Sequence, residues 1–458
     1  MNQRHLPPAV AMMAGAFLTA SAAIGGRVDK SSLRCWEEGE APQVSVIVSN
    51  PDGEEASTTV SLAVQTDTKL PAGEFSREVT VAPGDTARVV FDNLPVSPGF
   101  YRATVTVGET TLDPFNFGYA PTAIISPLDR QPDFEAFWSQ ALDELAAVAP
   151  EYRLTRDPYR SSENKNVYLV EMKSLPDSTG GEPVVIRGFY SEPVAPGKYP
   201  ALITYQGYDG GTSQLYYGNP DGNPGWIEFY LSTRGQLLDN RDGKNHYGDW
   251  FAWNFGDKDR YYYRAAFMDV VRAIDFITSR EKTDTARVYS QGQSQGGAFT
   301  VASAALGGGR IKAIAPAVTF LGDFPDYFRI VHWPAEVARR CQKEKGLSDQ
   351  EMYRFLSYFD TKNLAPWVTC PVLATFGLQD PVCPPHTNFA SFNLFASPDK
   401  RYIIMPENGH WVTPDWYDRF MEFLSTRPPG RGEAAPGARA PRPERRGGGG
   451  GGRRGGGG

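Results

Sequence analysis

The segment Ala286-Arg287-Val288-Tyr289-Ser290-Gln291-Gly292-Gln293-Ser294-Gln295-Gly296-Gly297-Ala298-Phe299 changes character halfway along. Its first five residues read as a strand, and from Gly297 onward small and apolar residues read as a helix. Between them Gly292-Gln293-Ser294-Gln295-Gly296 matches the pattern G-x-S-x-G. Glycine on both sides of the serine suits a turn too tight to admit side chains there. Such a turn exposes the serine oxygen at the start of a helix, where backbone N–H groups favour a developing negative charge. Ser294 is therefore the candidate nucleophile, and the fold around it must pass repeatedly from strand to helix.

Outward from this elbow the chain does alternate. Strands are expected at Val167–Lys173, Val184–Tyr190, Ala201–Gln206, Ile227–Ser232, Arg287–Ser290, Ala313–Val318, Val372–Phe376 and Arg401–Met405. Helices are expected over Ala265–Arg280, Gln295–Ala305, Pro334–Lys345, Asp349–Phe359, Pro385–Phe395 and Thr413–Ser425. This alternation implies a mostly parallel sheet flanked by helices, an α/β-hydrolase, with its chemistry at the carboxyl ends of the strands. In that fold the partners of the serine follow it in the order acid, then histidine. Three histidines follow Ser294: His332, His386 and His410. Only His410 lies just past a strand and before the last helix, so it is the candidate base. Asp380, where the chain leaves the strand ending at Phe376 and turns at Gly377, is the candidate acid; Asp360 and Asp399 read as exposed cap and turn residues.

The regions before this domain are different. Short runs at Val44–Val48, Thr58–Gln65, Phe75–Val81, Thr86–Phe91 and Phe100–Val107 are separated by turns such as Pro83-Gly84-Asp85, which predicts a β-sandwich over about 40–120. Helical spacing of Phe134, Phe137, Trp138, Leu142 and Leu145 then opens the hydrolase region, 130–426. Residues 1–23 have the basic start, apolar stretch and small-residue end of a signal peptide, which predicts a secreted protein. Residues 427–458 hold eight Arg against two Glu among Pro and Gly, and read as a disordered tail. That tail is a net +6, so the rest of the chain carries −13 of the total −7, an acidic body unsuited to nucleic acid. No apolar run reaches the roughly 18 residues of a membrane span.

With these residues in place, the stretch from about Pro132 to Ser425 resembles the acetyl xylan esterase and cephalosporin-C deacetylase family, carbohydrate esterase family seven. The resemblance rests on Gly207-Tyr208-Asp209-Gly210-Gly211, Arg234-Gly235-Gln236, Tyr261-Tyr262-Tyr263-Arg264, the Gly-Gln-Ser-Gln-Gly-Gly elbow, and Gly377-Leu378-Gln379-Asp380-Pro381-Val382-Cys383-Pro384-Pro385. It implies an oxyanion hole from the backbone N–H groups of Tyr208 and Gln295, a structural brace from Arg234 and Gln236, and a homo-oligomer, often a ring of six. The chain departs from the family in having Gln206 where a histidine is usual, and Trp411 where a glutamate follows the catalytic histidine.

No cluster with metal-ligand spacing and no nucleotide loop stands out, so neither metal nor cofactor is expected. The aromatics between Tyr205 and Tyr263, including Tyr216, Tyr217, Trp226, Tyr247, Trp250, Phe251, Trp253 and Phe255, read mainly as packing, with sugar stacking as the second use. The resemblance implies that Cys370 and Cys383, at family-typical places, are free thiols; Cys35 and Cys341 read as a possible pair in an oxidising compartment. The expected activity is serine-esterase removal of acetyl groups from carbohydrate, acetylated xylan fragments above all. A prolyl-oligopeptidase-type peptidase and a non-catalytic carbohydrate-binding protein are the competing readings.

Overall fold

The computed structural model describes residues 24–177, 181–208, 223–243 and 245–426. The leader at 1–23, the tail at 427–458, Asp209, Gly210 and Gly211, and Tyr216 and Tyr217 lie outside them.

Nine strands come first: β1 (Gly25–Val28), β2 (Cys35–Trp36), β3 (Val44–Ser49), β4 (Ala56–Thr66), β5 (Pro71–Val81), β6 (Thr86–Phe91), β7 (Gly99–Val107), β8 (Thr110–Thr111) and β9 (Phe115–Tyr119). One sheet has the order β1-β3-β6 and the other β2-β9-β7-β4-β5, with β8 paired to β7. Every pair is antiparallel except β2 with β9. Alternation creates the core between the sheets: Val60, Leu62 and Val64 of β4 and Ala103, Val105 and Val107 of β7 are buried, and their neighbours in sequence turn outward. The sandwich thus begins at Gly25 rather than near 40, because β1 and β2 are too short to show a period.

The second region comprises α1 (Phe134–Ala147), β10 (Arg153–Arg156), β11 (Lys165–Ser174), β12 (Val184–Pro193), β13 (Tyr199–Tyr205), β14 (Ile227–Ser232), α2 (Leu238–Arg241), α3 (Tyr262–Thr278) and β15 (Thr283–Gln293). It continues through α4 (Gln295–Leu306), β16 (Ala313–Ala317), α5 (Phe324–Ile330), α6 (Ala335–Lys345), α7 (Asp349–Leu356) and α8 (Thr361–Leu364). It closes with β17 (Val372–Gly377), α9 (Pro385–Leu394), β18 (Lys400–Met405) and α10 (Trp416–Ser425). Its nine strands run in the order β10-β11-β12-β14-β13-β15-β16-β17-β18. From β14 to β18 every neighbour is parallel, and the first three strands join antiparallel.

Both faces of this sheet are buried. Ala201, Ile203 and Tyr205 of β13 and Ile314 of β16 pack into the cluster under α1, α3 and α4. Leu202 of β13 and Ala313, Ala315 and Ala317 of β16 face the opposite side, against Trp416, Phe420 and Leu424 of α10. Burial on two faces explains why the strands read as continuous apolar runs. The chain leaves β13 toward β14 on one side and crosses to β15 on the other, so a crevice opens at the carboxyl end of β13. Among the described residues no helix is long and apolar enough to cross a membrane.

Candidate active site

The crevice beside β13 is where the serine stands. Tyr205 and Gly292 are level in the β13–β15 ladder, and Gln293 is level with Ala317 of β16. The next residue, Ser294, is the N-cap of α4 with φ 59° and ψ −122°, a backbone that a non-glycine residue adopts only under constraint. Its side chain makes no capping bond, so the hydroxyl is left for other use. The constraint is visible in the flanking glycines: a Cβ at Gly296 would lie 2.2 Å from the Tyr205 carbonyl oxygen, and one at Gly292 2.4 Å from that of Gly296. The N–H of Gln295 belongs to the first turn of α4, whose leading N–H groups have no acceptor within the helix.

The candidate acid and base sit together, in the loops that follow β17 and β18. Gly377 of β17 is level with Met405 of β18, so the loops that follow leave the sheet side by side. They touch so closely that a Cβ on Gly377 would come within 2.2 Å of the Gly409 carbonyl oxygen. Asp380 is buried, and its Oδ2 lies 2.8 Å from His410 Nδ1. Its Oδ1 accepts from the N–H groups of Val382 and Cys383 at 2.8 and 2.9 Å. The buried Cys383 thiol contacts the Ser294 side chain and lies 3.8 Å from the Tyr327 hydroxyl, which ties the elbow to the acid loop. Burial and the Asp380 charge hold that thiol well above the ordinary range, so it is not a thiolate. Among the described residues Ser294 and His410 share no direct hydrogen bond; contacts of this kind often tighten only with substrate bound.

Tyr208 and Gln295 are both placed at the serine. A Cβ on Gly207 would lie 3.9 Å from Ser294 Cβ, so the segment entering Tyr208 runs along the elbow. The Tyr208 hydroxyl donates to Asp249 at 2.9 Å, and its ring meets Trp250 and Trp333 edge-on at 5.2 Å each. Gln295 exchanges two hydrogen bonds with Gln236, each 3.1 Å, and accepts a third from the Tyr263 hydroxyl at 3.0 Å. Arg234 is fully buried. Burial alone would discharge it, but Asp269, bound through Nε at 2.8 Å, and Asp177, through Nη1 at 3.0 Å, hold it charged. Its carbonyl accepts from Tyr262, which in turn accepts from Gln236. Among the described residues, Arg234 and Gln236 connect to the elbow through Gln295.

The remaining candidates fall elsewhere. His332 is exposed and 3.3 Å from Glu336. Asp399 accepts from Arg401. Asp360 does cap α8, as expected, but it is completely buried rather than exposed. Removal from water, against the pull of Lys362, pushes its carboxyl up to about 7. The possible Cys35–Cys341 pair is not formed: all four cysteines are free, Cys35 on a sandwich strand and Cys341 buried on α6. Tyr247, Trp250, Phe251 and Phe255 are buried, which makes them packing residues and not a sugar platform. Asp323, Asp326 and His386 each bring a possible metal-ligand atom within 4.8 Å of the others. His386 is nonetheless engaged on both ring nitrogens, by Asp67 at 2.7 Å and Asp326 at 3.5 Å. Burial opposes its charge, but the two carboxylates win and raise it to about 10.

A family model described as acetyl xylan esterase (AXE1) matches residues 126–427. The acetyl esterase Axe7A of Xylanibacter ruminicola is 27% identical over 374 residues, covering 78% of this chain and 80% of that protein. The acetyl xylan esterase from Paenibacillus sp. R4 superposes with a TM-score of 0.58 at 26% identity, over 66% of this chain and 97% of that one. Acetyl xylan esterase 1 from Thermoanaerobacterium sp. JW/SL YS485 gives 0.56 at 27% identity, over 66% and 96%. The matched stretch takes in the elbow, both loops beyond β17 and β18, and the Arg234–Gln236 brace, and on it the chain belongs to the acetyl xylan esterase family, an esterase on an α/β-hydrolase fold.

Proposed function

We propose that the protein is a serine esterase that removes O-acetyl groups from carbohydrate, with Ser294 as nucleophile, His410 as general base and Asp380 as its orienting acid. The observation that carries this reading is the Asp380–His410 pair at 2.8 Å, held beside the Ser294 elbow. Nδ1 of His410 is taken by the carboxylate, which leaves Nε2 to accept the proton from Ser294 Oγ as that oxygen attacks the acetyl carbonyl. The N–H groups of Tyr208 and Gln295 receive the oxyanion. The intermediate collapses to an acetyl-serine, and the sugar hydroxyl leaves with the proton from His410. Water then repeats the attack and releases acetate.

Acetylated xylan fragments are the favoured substrate class, on the family and on the half-exposed indole of Trp411, 52% accessible and next to His410, which offers an aromatic face to a sugar ring. The acetyl ester of cephalosporin C is a second substrate to assay. The leader pattern at residues 1–23 accords with export, since a polymer must be met outside the cell. Purified protein is expected to release acetate from acetylated xylo-oligosaccharides, to cleave p-nitrophenyl acetate faster than the butyrate, and to leave a proline anilide intact. Ser294→Ala should lose at least about 10³-fold in kcat with an unchanged melting temperature. Near wild-type turnover in that variant removes Ser294 from the mechanism, and efficient anilide cleavage would move the reading to a peptidase.

A further inference from the structure

The sandwich meets the hydrolase at the two loops that carry Asp380 and His410. In β9, Phe115 and Phe117 point into the sandwich core, so strand alternation turns Asn116 to the opposite face. There the Asn116 N–H donates to Gln379 Oε1 at 2.7 Å, and Gln379 Nε2 donates back to the Asn116 carbonyl at 3.0 Å. A side-chain amide thus pairs with a strand as a neighbouring strand would. Asn116 Nδ2 donates in addition to the Leu378 carbonyl at 3.1 Å.

Gln379 precedes Asp380, and the same carboxamide reaches the loop of the base, giving its second proton to the Pro406 carbonyl at 2.9 Å. The Gln379 N–H also binds the Asn408 carbonyl at 2.9 Å. Beyond this clamp, Lys30 pairs with Glu407 of the His410 loop at 2.6 Å, and Tyr402 of β18 donates to Glu37 at 3.0 Å. Both loops are therefore held from the sandwich side as well as by the sheet.

We propose that the N-terminal sandwich is a positioning element of the active site. Asn116 fixes the Gln379 carboxamide, and Gln379 sets the separation of the acid and base loops and with it the Asp380–His410 geometry. The proposal rests on the triad reading above. Neither Asn116 nor Gln379 touches substrate; both act through the pair they hold.

The test is steady-state kinetics with p-nitrophenyl acetate, alongside melting, for Gln379→Ala, Asn116→Ala and Ser294→Ala. Arg77→Ala, on the exposed Arg77–Asp92 pair at 3.7 Å, is the sandwich control. A misplaced acid–base pair slows chemistry without weakening substrate binding, so Gln379→Ala should lose about tenfold or more in kcat with KM unchanged. Asn116→Ala, which removes the side-chain bonds to the Leu378 carbonyl and from Arg102 and keeps the backbone pair with Gln379, should lose less, in the same parameter. Arg77→Ala should match wild type. If Gln379→Ala does not fold, Gln379→Glu decides, since it keeps the stem and loses the two donations from Nε2 to the Asn116 and Pro406 carbonyls. Lowered melting with wild-type kcat in the folded variants would make the sandwich passive support and overturn the proposal while the triad stands. Turnover by Ser294→Ala would overturn the triad reading itself, and this proposal with it.

Discussion

Asp380 commits one carboxylate oxygen to the imidazole of His410 and the other to two backbone N–H groups. It therefore cannot rotate away without leaving buried donors unpaired, an outcome that costs about 1–3 kcal/mol for each group. This makes Asp380→Asn informative. The amide keeps the shape, but one side must present an NH2, either to the Val382 and Cys383 donors or to His410 Nδ1. With the oxygen kept on the backbone donors, the amide faces Nδ1 and favours the wrong imidazole tautomer. In a serine-protease triad the same exchange costs about 10⁴ in kcat, and a loss of that order is expected here. Asp399→Asn, on an exposed pair with Arg401, should leave the rate unchanged. Measuring kcat on an activated acetate ester for both variants checks the assignment; a near wild-type Asp380→Asn would place the orienting carboxylate elsewhere.

At the level of elements, the strand–elbow–helix unit depends on close backbone approach. Gly296→Ala would put a Cβ 2.2 Å from the Tyr205 carbonyl oxygen and 2.8 Å from its carbon, both rigid parts of the central strand. Overpacking of this kind costs about 1–3 kcal/mol or more, so a lowered melting temperature together with lost activity is expected, by calorimetry and ester assay; wild-type melting would mean that the elbow can move. This unit was legible in the sequence because its glycines, its serine and the change of period all lie within fourteen consecutive residues. The positions of Asp380 and His410 were legible for a similar reason: each follows an apolar strand, and the carboxyl ends of parallel strands share one edge. β9 was not. Its Phe115-Asn116-Phe117 alternation is brief, Pro114 precedes it and Gly118 interrupts it, all of which weaken a strand signal. The burial of Asp360 was hidden too, since its three backbone donors come from the starts of α5 and α8, remote in sequence from one another.

Across the whole molecule, the contact between sandwich and hydrolase is polar and apolar at once. Phe100 of β7 packs on Phe389 of α9 at 5.8 Å, and beside it His386 bridges Asp67 of the sandwich and Asp326 of α5. Arg329 pairs with the second oxygen of Asp326 at 3.0 Å. The fold raises the His386 pKa from 6.5 to about 10, so the folded state binds this proton more tightly than the unfolded chain does. Its contribution is complete below pH 6.5 and is lost as pH rises through about 10. Melting curves of wild type and His386→Gln should differ most at pH 6.5 and converge toward pH 10, where the wild-type clamp has lost its charge; a gap that does not change with pH would mean that His386 contributes shape alone. The same contacts bear on how such a chain could have been assembled. The family model begins at residue 126, which invites the picture of an esterase with a module fused in front. Yet cutting there would strip the partners from Gln379, Glu407, Tyr402 and His386 and uncover Phe389, all of them within the retained part. Those five residues tie the two regions together, so the edge of the family match is not a line along which this protein can be divided.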